Sequence, residues 1–235
     1  MIFHSEPAVV ICNGPSLNAV NNDELDQFYT LGQNRIYLRY NPDTLALGDD
    51  CMVFSPELQT SLLEAMPLSE DVVLASTVER FFLRDDLPEH VRFLNWVNPK
   101  KDGELMGVFS INPAEVLVAG GSTTYVLLQL ALSKGYNKVL IVGMDHTFVG
   151  PEGDHFSEEY NKLVGIPYEM ETRGRYGLGH GNWPFSQKQF VAKTNEFFAI
   201  AKRVFDENGG WIRNCSSYTE CDVFDKDEWR FYAKI

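Results

Sequence analysis

Short strand-like runs alternate with stretches of helical periodicity along most of this chain. The runs fall at 8–12 (AVVIC), 32–38 (GQNRIYL), 51–54 (CMVF), 72–75 (VVLA), 91–94 (VRFL), 139–142 (VLIV) and 211–213 (WIR). The aliphatic ones show no polar alternation, as expected of strands buried on both faces of a parallel sheet. Between them, 23–29 reads as a short helix with Leu25 and Phe28 inward, and 77–83 as another. Pro56 suits the first position of a helix running to Met66. The clearest amphipathic helix spans 187–208, where Phe190, Thr194, Phe197, Phe198, Ala201, Val204 and Phe205 share one face before Gly209-Gly210 stops it. Repeated strand–turn–helix units predict an α/β fold with a mainly parallel sheet and helices on both faces. The runs at 8–12 and 139–142 are predicted as central, parallel neighbours.

One stretch carries both fold and candidate chemistry. Gly120 and Gly121 allow a tight turn, and Ser122, Thr123 and Thr124 follow where a helix would begin. One of these hydroxyls can cap that helix, whose free N–H groups favour an anion. The helix is apolar from Tyr125 to Leu132 and ends at Gly135. After the strand at 139–142, Asp145 and His146 stand at its carboxyl end, the edge where open α/β sheets bind ligands. The strand at 8–12 likewise runs into Asn13-Gly14-Pro15-Ser16, a glycine turn that is neither a Walker loop nor GxGxxG. A phosphate is expected between the Asn13-Gly14 turn and the helix start at Ser122. Asn34 is read at the beginning of the second strand with Arg35 beside it, and Ser55 follows the third. Asn214 to Ser217 points to the same edge. The stretch 147–186 has no clear periodicity and reads as a lid-like insertion in a single domain of 235 residues. It holds Asp154, His155 and His180, together with Arg173, Arg175 and Tyr176 as candidate lid residues.

Composition narrows the ligand class. A formal charge of −13 and the lack of a basic patch argue against nucleic-acid binding. A small phosphorylated ligand remains open, since it needs only local N–H groups and one or two cations. The four cysteines show neither a CxxC pair nor metal-ligand spacing, which suits thiols in a reducing compartment. No apolar run reaches membrane-spanning length, and residues 1–7 lack a signal-like pattern. A cytoplasmic protein is expected, with a nucleotide substrate and an unknown acceptor as partners and a homo-oligomer left open.

Several segments in order carry a resemblance: CNGPSL, GQNRIYL, GGSTTYVLLQLALSKGY, VLIVGMDH, DHFSEEY and IRNCSS. Together they resemble the superfamily that contains the bacterial lipooligosaccharide sialyltransferases and the domain family typified by the archaeal 6-hydroxymethylpterin diphosphokinase. The GG[ST]xTY…GxDH…DHF pattern is most similar to bacterial members of the second branch. The resemblance implies a Rossmann-like fold with a nucleotide at the strands' carboxyl ends. In the sialyltransferases the donor is a cytidine monophosphate sugar and no metal is needed. Carried over by position, Asn13, Gly14 and Ser16 match the first-strand nucleotide loop, and Asn34 matches the second-strand asparagine. Ser122 and Thr123 match the hydroxyl residues at the central helix start, with Gly121 before them, and His180 matches the catalytic histidine. Ser55 stands where the sialyltransferases carry an asparagine, which points to a different nucleotide or sugar contact.

Glycosyl transfer from a nucleotide sugar requires a stabilised leaving phosphate, a base for the acceptor hydroxyl and exclusion of water. The turn and helix start supply the first, His180, His155 or His146 the second, and the lid residues the third. The alternative is a pterin-type diphosphokinase, in which Asp145 and Asp154 would hold Mg²⁺. A non-catalytic nucleotide-binding protein is the remaining reading.

Overall fold

A computed structural model describes residues 2–48, 56–82, 87–98, 100–101, 104–105, 107–146, 155–157, 160 and 187–233. Strands β1 (Ala8–Ile11), β2 (Tyr29–Gln33), β3 (Thr44–Leu47), β4 (Asp71–Ala75) and β5 (Val91–Leu94) come first. Four two-residue strands follow: β6 (Trp96–Val97), β7 (Lys100–Lys101), β8 (Glu104–Leu105) and β9 (Leu117–Val118). The C-terminal part supplies β10 (Lys138–Val142), β11 (Trp211–Asn214) and β12 (Asp225–Lys226). The helices are α1 (Asn22–Leu25), α2 (Pro56–Ala65), α3 (Thr123–Ser133) and α4 (Gln187–Glu207), with single 3-10 turns such as Pro15–Ala19 and Asn34–Leu38 between them.

Among the described residues eight strands form one sheet in the order β12-β11-β10-β1-β2-β3-β4-β5, with each neighbouring pair parallel. The chain builds outward from β1 to β5, then returns to the other side of β1 with β10. The β1–β10 boundary is therefore the switch point, with Ala8 beside Val139 and Ile11 beside Val142. This is a Rossmann-like arrangement. Alternate residues of the central strands enter two cores. Ala8, Val10, Val139 and Ile141 pack with α3 and with Phe197, Phe198, Ala201 and Phe205 of α4. Val9, Ile11, Leu140 and Val142 pack with Leu25, Leu58, Leu62 and Trp229 on the opposite face. Helices thus cover both faces, and α3 is buried along most of its length, as its unbroken apolar run requires. No helix among the described residues is long and apolar enough to cross a membrane.

Two strand boundaries differ from the sequence expectation. The second strand is Tyr29–Gln33, not 32–38, and 34–38 is a 3-10 turn. The Asp43 carboxylate accepts from both the N–H and the hydroxyl of Thr30, each at 2.7 Å, which fixes the strand there. Asn34 then turns with a left-handed φ of 51°. It lies just past the strand's carboxyl end, not at its beginning. The third strand is the fully buried TLAL of 44–47, and the run at 51–54 lies outside the described residues. The expected helix at 23–29 is shorter, Asn22–Leu25, closed by a capping box between Asn21 and Glu24. The helix expected at 77–83 is instead a 3-10 turn, Ser76–Phe81.

Candidate functional site

The carboxyl ends of β1 and β10 are stitched together by their glycine turns. The Gly14 N–H donates to the Gly143 carbonyl at 2.7 Å. Gly143 has φ 71°, and a Cβ on it would lie 2.4 Å from the Cys12 carbonyl oxygen. The approach also excludes a side chain at Gly14, where a Cβ would meet Gly143 O at 2.6 Å and Asp145 Cγ at 2.7 Å. Asp145 is 7% exposed and lies directly on the first turn, with its Oδ2 accepting from the Ser16 N–H at 2.8 Å. The Gly14 and Ser16 N–H groups of this turn are thus already met by protein acceptors. A phosphate seated at the Asn13-Gly14-Ser16 turn would also face this carboxylate. Like charges 4 Å apart repel by about 4 kcal/mol at an effective dielectric near 20.

The start of α3 is the second anion-favouring element. Gly120 and Gly121 take left-handed φ values of 59° and 76°, and Ser122 caps the helix by accepting from the Thr124 N–H at 3.2 Å. The buried Thr124 hydroxyl donates to Gln33 Oε1 at 3.1 Å and lies 3.3 Å from Cys12 Sγ. These bonds pin the α3 N-terminus, with Ser122 and Thr123, over the carboxyl ends of β1 and β2. Burial pushes the Cys12 thiol up to about 12, with the Thr124 hydroxyl opposing, so Cys12 is a protonated packing group and not a nucleophile.

A third layer comes from the residues after β10. The Asn13 amide donates from Nδ2 to the Gln33 carbonyl at 3.2 Å and to the Tyr160 hydroxyl at 2.9 Å. The Phe156 N–H donates to Asn13 O at 2.9 Å, and Asn18 Nδ2 donates to Phe156 O at 3.0 Å. Buried Arg35 donates to Tyr160 O at 3.0 Å, and its guanidinium lies 5.5 Å from the Tyr160 ring centre. The His155 ring packs on the same tyrosine with centroids 4.1 Å apart. His155, Phe156 and Tyr160 therefore cover the β1–β2 edge, and His155 reaches the site through Tyr160.

His146 sits at the other side of β10 with a left-handed φ of 59° and its ring 5.8 Å from that of Phe198. Burial lowers its pKa to about 4, against the pull of Glu220 and Asp222, so the imidazole is neutral at pH 7. Asn214 and Ser216, expected at the ligand edge, are used locally. The Met144 N–H donates to Ser216 Oγ at 2.8 Å, and Asn214 Nδ2 donates to Thr219 Oγ1 at 3.0 Å.

The structure thus brings Asn13, Gly14, Ser16, Asn34, Asp145 and His155 to one sheet edge, with Gly121, Ser122 and Thr123 opening the helix above it. Ser55, Asp154, Arg173, Arg175, Tyr176 and His180 lie outside the described residues. No group of three or more His, Cys, Asp or Glu placed to hold a metal occurs among the described residues. Gln33 and Tyr160 join the site from within GQNRIYL and DHFSEEY, where the sequence assigned neither a role. Gln33 is marked only by its place at a strand end, and Tyr160 by its spacing from Ser157, whose Oγ accepts from the Tyr160 N–H. Four polar atoms at this edge are buried without a protein hydrogen-bond partner: Asn13 Oδ1, Ser16 Oγ, Asn34 Oδ1 and Asp145 Oδ1. Such atoms in a native protein call for a ligand, water or ion.

The fold and this edge define the class: a Rossmann-like α/β protein with a candidate ligand site at its switch point. No protein-family model, curated protein or solved structure matches the chain.

Proposed function

We propose that this chain is a nucleotide-binding transferase that moves a glycosyl group from a nucleotide sugar. The reading is carried by one observation. Four unpartnered buried polar atoms lie along the carboxyl ends of β2, β1 and β10, an edge that includes the switch point and lies beside the capped N-terminus of an eleven-residue helix. The helix start at Ser122 and Thr123 would receive the phosphate, whose charge grows as the sugar leaves. His155, held against Tyr160 at the β1–β2 edge, is the base proposed to take the proton of the acceptor hydroxyl. Arg35 is held by the Tyr160 carbonyl and orients this segment.

The diphosphokinase reading is favoured by one feature. Asp145 keeps Oδ1 unengaged at the switch point while Oδ2 holds Ser16. Asp145 would then contribute one oxygen to Mg²⁺, and the metal would screen the charge of a transferring phosphate. A thermal-shift series with CMP, UDP, GDP and ATP, each with Mg²⁺ or with EDTA, separates the readings. Glycosyl transfer of the sialyltransferase kind predicts a concentration-dependent rise in Tm that survives EDTA. The diphosphokinase predicts a rise with ATP only in the presence of Mg²⁺. No rise with any nucleotide would overturn both.

A further inference from the structure

We infer that the corner at the carboxyl ends of β2, β1 and β10 binds sugar hydroxyls, those of a ribonucleotide's ribose, and not the phosphate. The inference rests on the nucleotide reading and divides its ligand between two places.

The N–H groups of the glycine turn after β1 are already engaged there. Gly14 N–H serves Gly143 O, Ser16 N–H serves Asp145 Oδ2, and Leu17 N–H serves Gly14 O at 3.0 Å. What the corner leaves open is of the opposite kind. Asn13 Oδ1, Asn34 Oδ1 and Asp145 Oδ1 are acceptors, and Ser16 Oγ is the one group among the four that can also donate. The orientation of the Asn13 amide is set by its surroundings. Its nitrogen faces the Gln33 carbonyl, so a flipped amide would set oxygen against oxygen. Asn13 and Asp145 are 96% and 93% buried, so their open oxygens lack solvent as well as protein donors. A phosphate dianion brings further acceptors and a charge that Asp145 repels. A ribose brings hydroxyls that donate to the carboxylate and amide oxygens and accept from Ser16. Asn34, Asn13 and Asp145 lie at the ends of the three adjacent strands β2, β1 and β10, so the open acceptors are spread along one edge and suit several hydroxyls over a single amino group. The phosphate is left to the start of α3, across the same edge.

The test is titration calorimetry of the full chain with CMP, UDP, GDP and ATP, each beside its 2′,3′-dideoxy form. The ribonucleotide that binds is expected to do so at least tenfold more tightly than its dideoxy counterpart. Equal affinities would overturn the inference while leaving nucleotide binding intact. Failure of every ribonucleotide to bind would overturn both. Asp145→Asn provides a second reading. The amide oxygen can still accept from Ser16 N–H, but an N–H₂ donor then faces the corner. The ribo-to-dideoxy ratio should fall at least threefold in this variant, and an unchanged ratio in the folded variant would count against a hydroxyl contact at Asp145. The wild-type comparison stands without the variant should Asp145→Asn fail to fold.

Discussion

Replacing Gly14 with alanine isolates the contact on which the switch point depends. Gly14 has φ −70° and ψ 158°, which any residue adopts, so the substitution imposes no backbone strain of its own. Its whole effect comes from the added methyl, which would lie 2.6 Å from Gly143 O, 2.7 Å from Asp145 Cγ and 2.8 Å from Asp145 Oδ2. Comfortable contacts between carbon atoms lie near 3.5–4.0 Å. Either the Gly143 backbone must retreat or Asp145 must swing off the Ser16 N–H. The first is overpacking and costs about 1–3 kcal/mol. The second loses a charge-assisted hydrogen bond, about 1.5–3 kcal/mol. With both, the loss is about 2.5–6 kcal/mol, and at about 2–4 °C per kcal/mol in a chain of this size Tm should fall by on the order of 10 °C. Urea unfolding followed by circular dichroism measures the loss. The same substitution in an Asp145→Ala background should cost less, with a coupling of at least about 1 kcal/mol. A loss below about 1 kcal/mol in the single variant would refute the close packing of the two turns. Zero coupling would place the strain on Gly143 alone.

Three further outcomes follow from the geometry. Gly121→Val forces a β-branched residue toward φ 76° at the entry to α3, so nucleotide affinity should drop at least tenfold, about 1.4 kcal/mol, in a protein that still folds by circular dichroism; unchanged calorimetric affinity would move the phosphate away from α3. His146 is lowered from 6.5 to about 4 by burial, so the unfolded chain binds its proton first on acidification. Its contribution is complete above pH 6.5 and is lost as pH falls toward 4, up to about 3 kcal/mol. His146→Asn tolerates the left-handed backbone and does not titrate, so urea midpoints should flatten between those pH values; an unaltered profile would contradict the assignment. Cys12 and Cys215, both pushed up to about 12 by burial, should resist alkylation at pH 8 until the protein unfolds, as read by peptide mass spectrometry; rapid labelling of either in the folded protein would contradict their burial.

The central elements were legible because their signals are local. AVVI and VLIV are aliphatic runs that end in glycine turns, and α3 follows two glycines and a capping serine. The second strand carries no such local signal: YTLGQ is mixed in polarity, and its position is set by Asp43, thirteen residues from Thr30, and by the left-handed turn at Asn34. TLAL at 44–47 is a weaker signal, since Thr44 makes it less apolar than CMVF at 51–54 and it follows directly on the Asn41-Pro42-Asp43 turn. At the site, the residue types were readable but their use was not. Asp145 looks like a nucleotide or metal ligand by sequence, whereas the fold turns one of its oxygens onto the Ser16 N–H, 129 residues away. Tyr160 joins Asn13 across 147 residues, a pairing that no spacing rule encodes.

The most direct measurement is a crystal structure with the nucleotide that gives the largest thermal shift. Density is expected across the carboxyl ends of β2, β1 and β10, with the phosphate at the N-terminus of α3 beside Ser122 and Thr123 and the ribose against Asn13 and Asp145. A nucleotide bound at the opposite edge of the sheet, or on α4 away from the switch point, would contradict the proposed site.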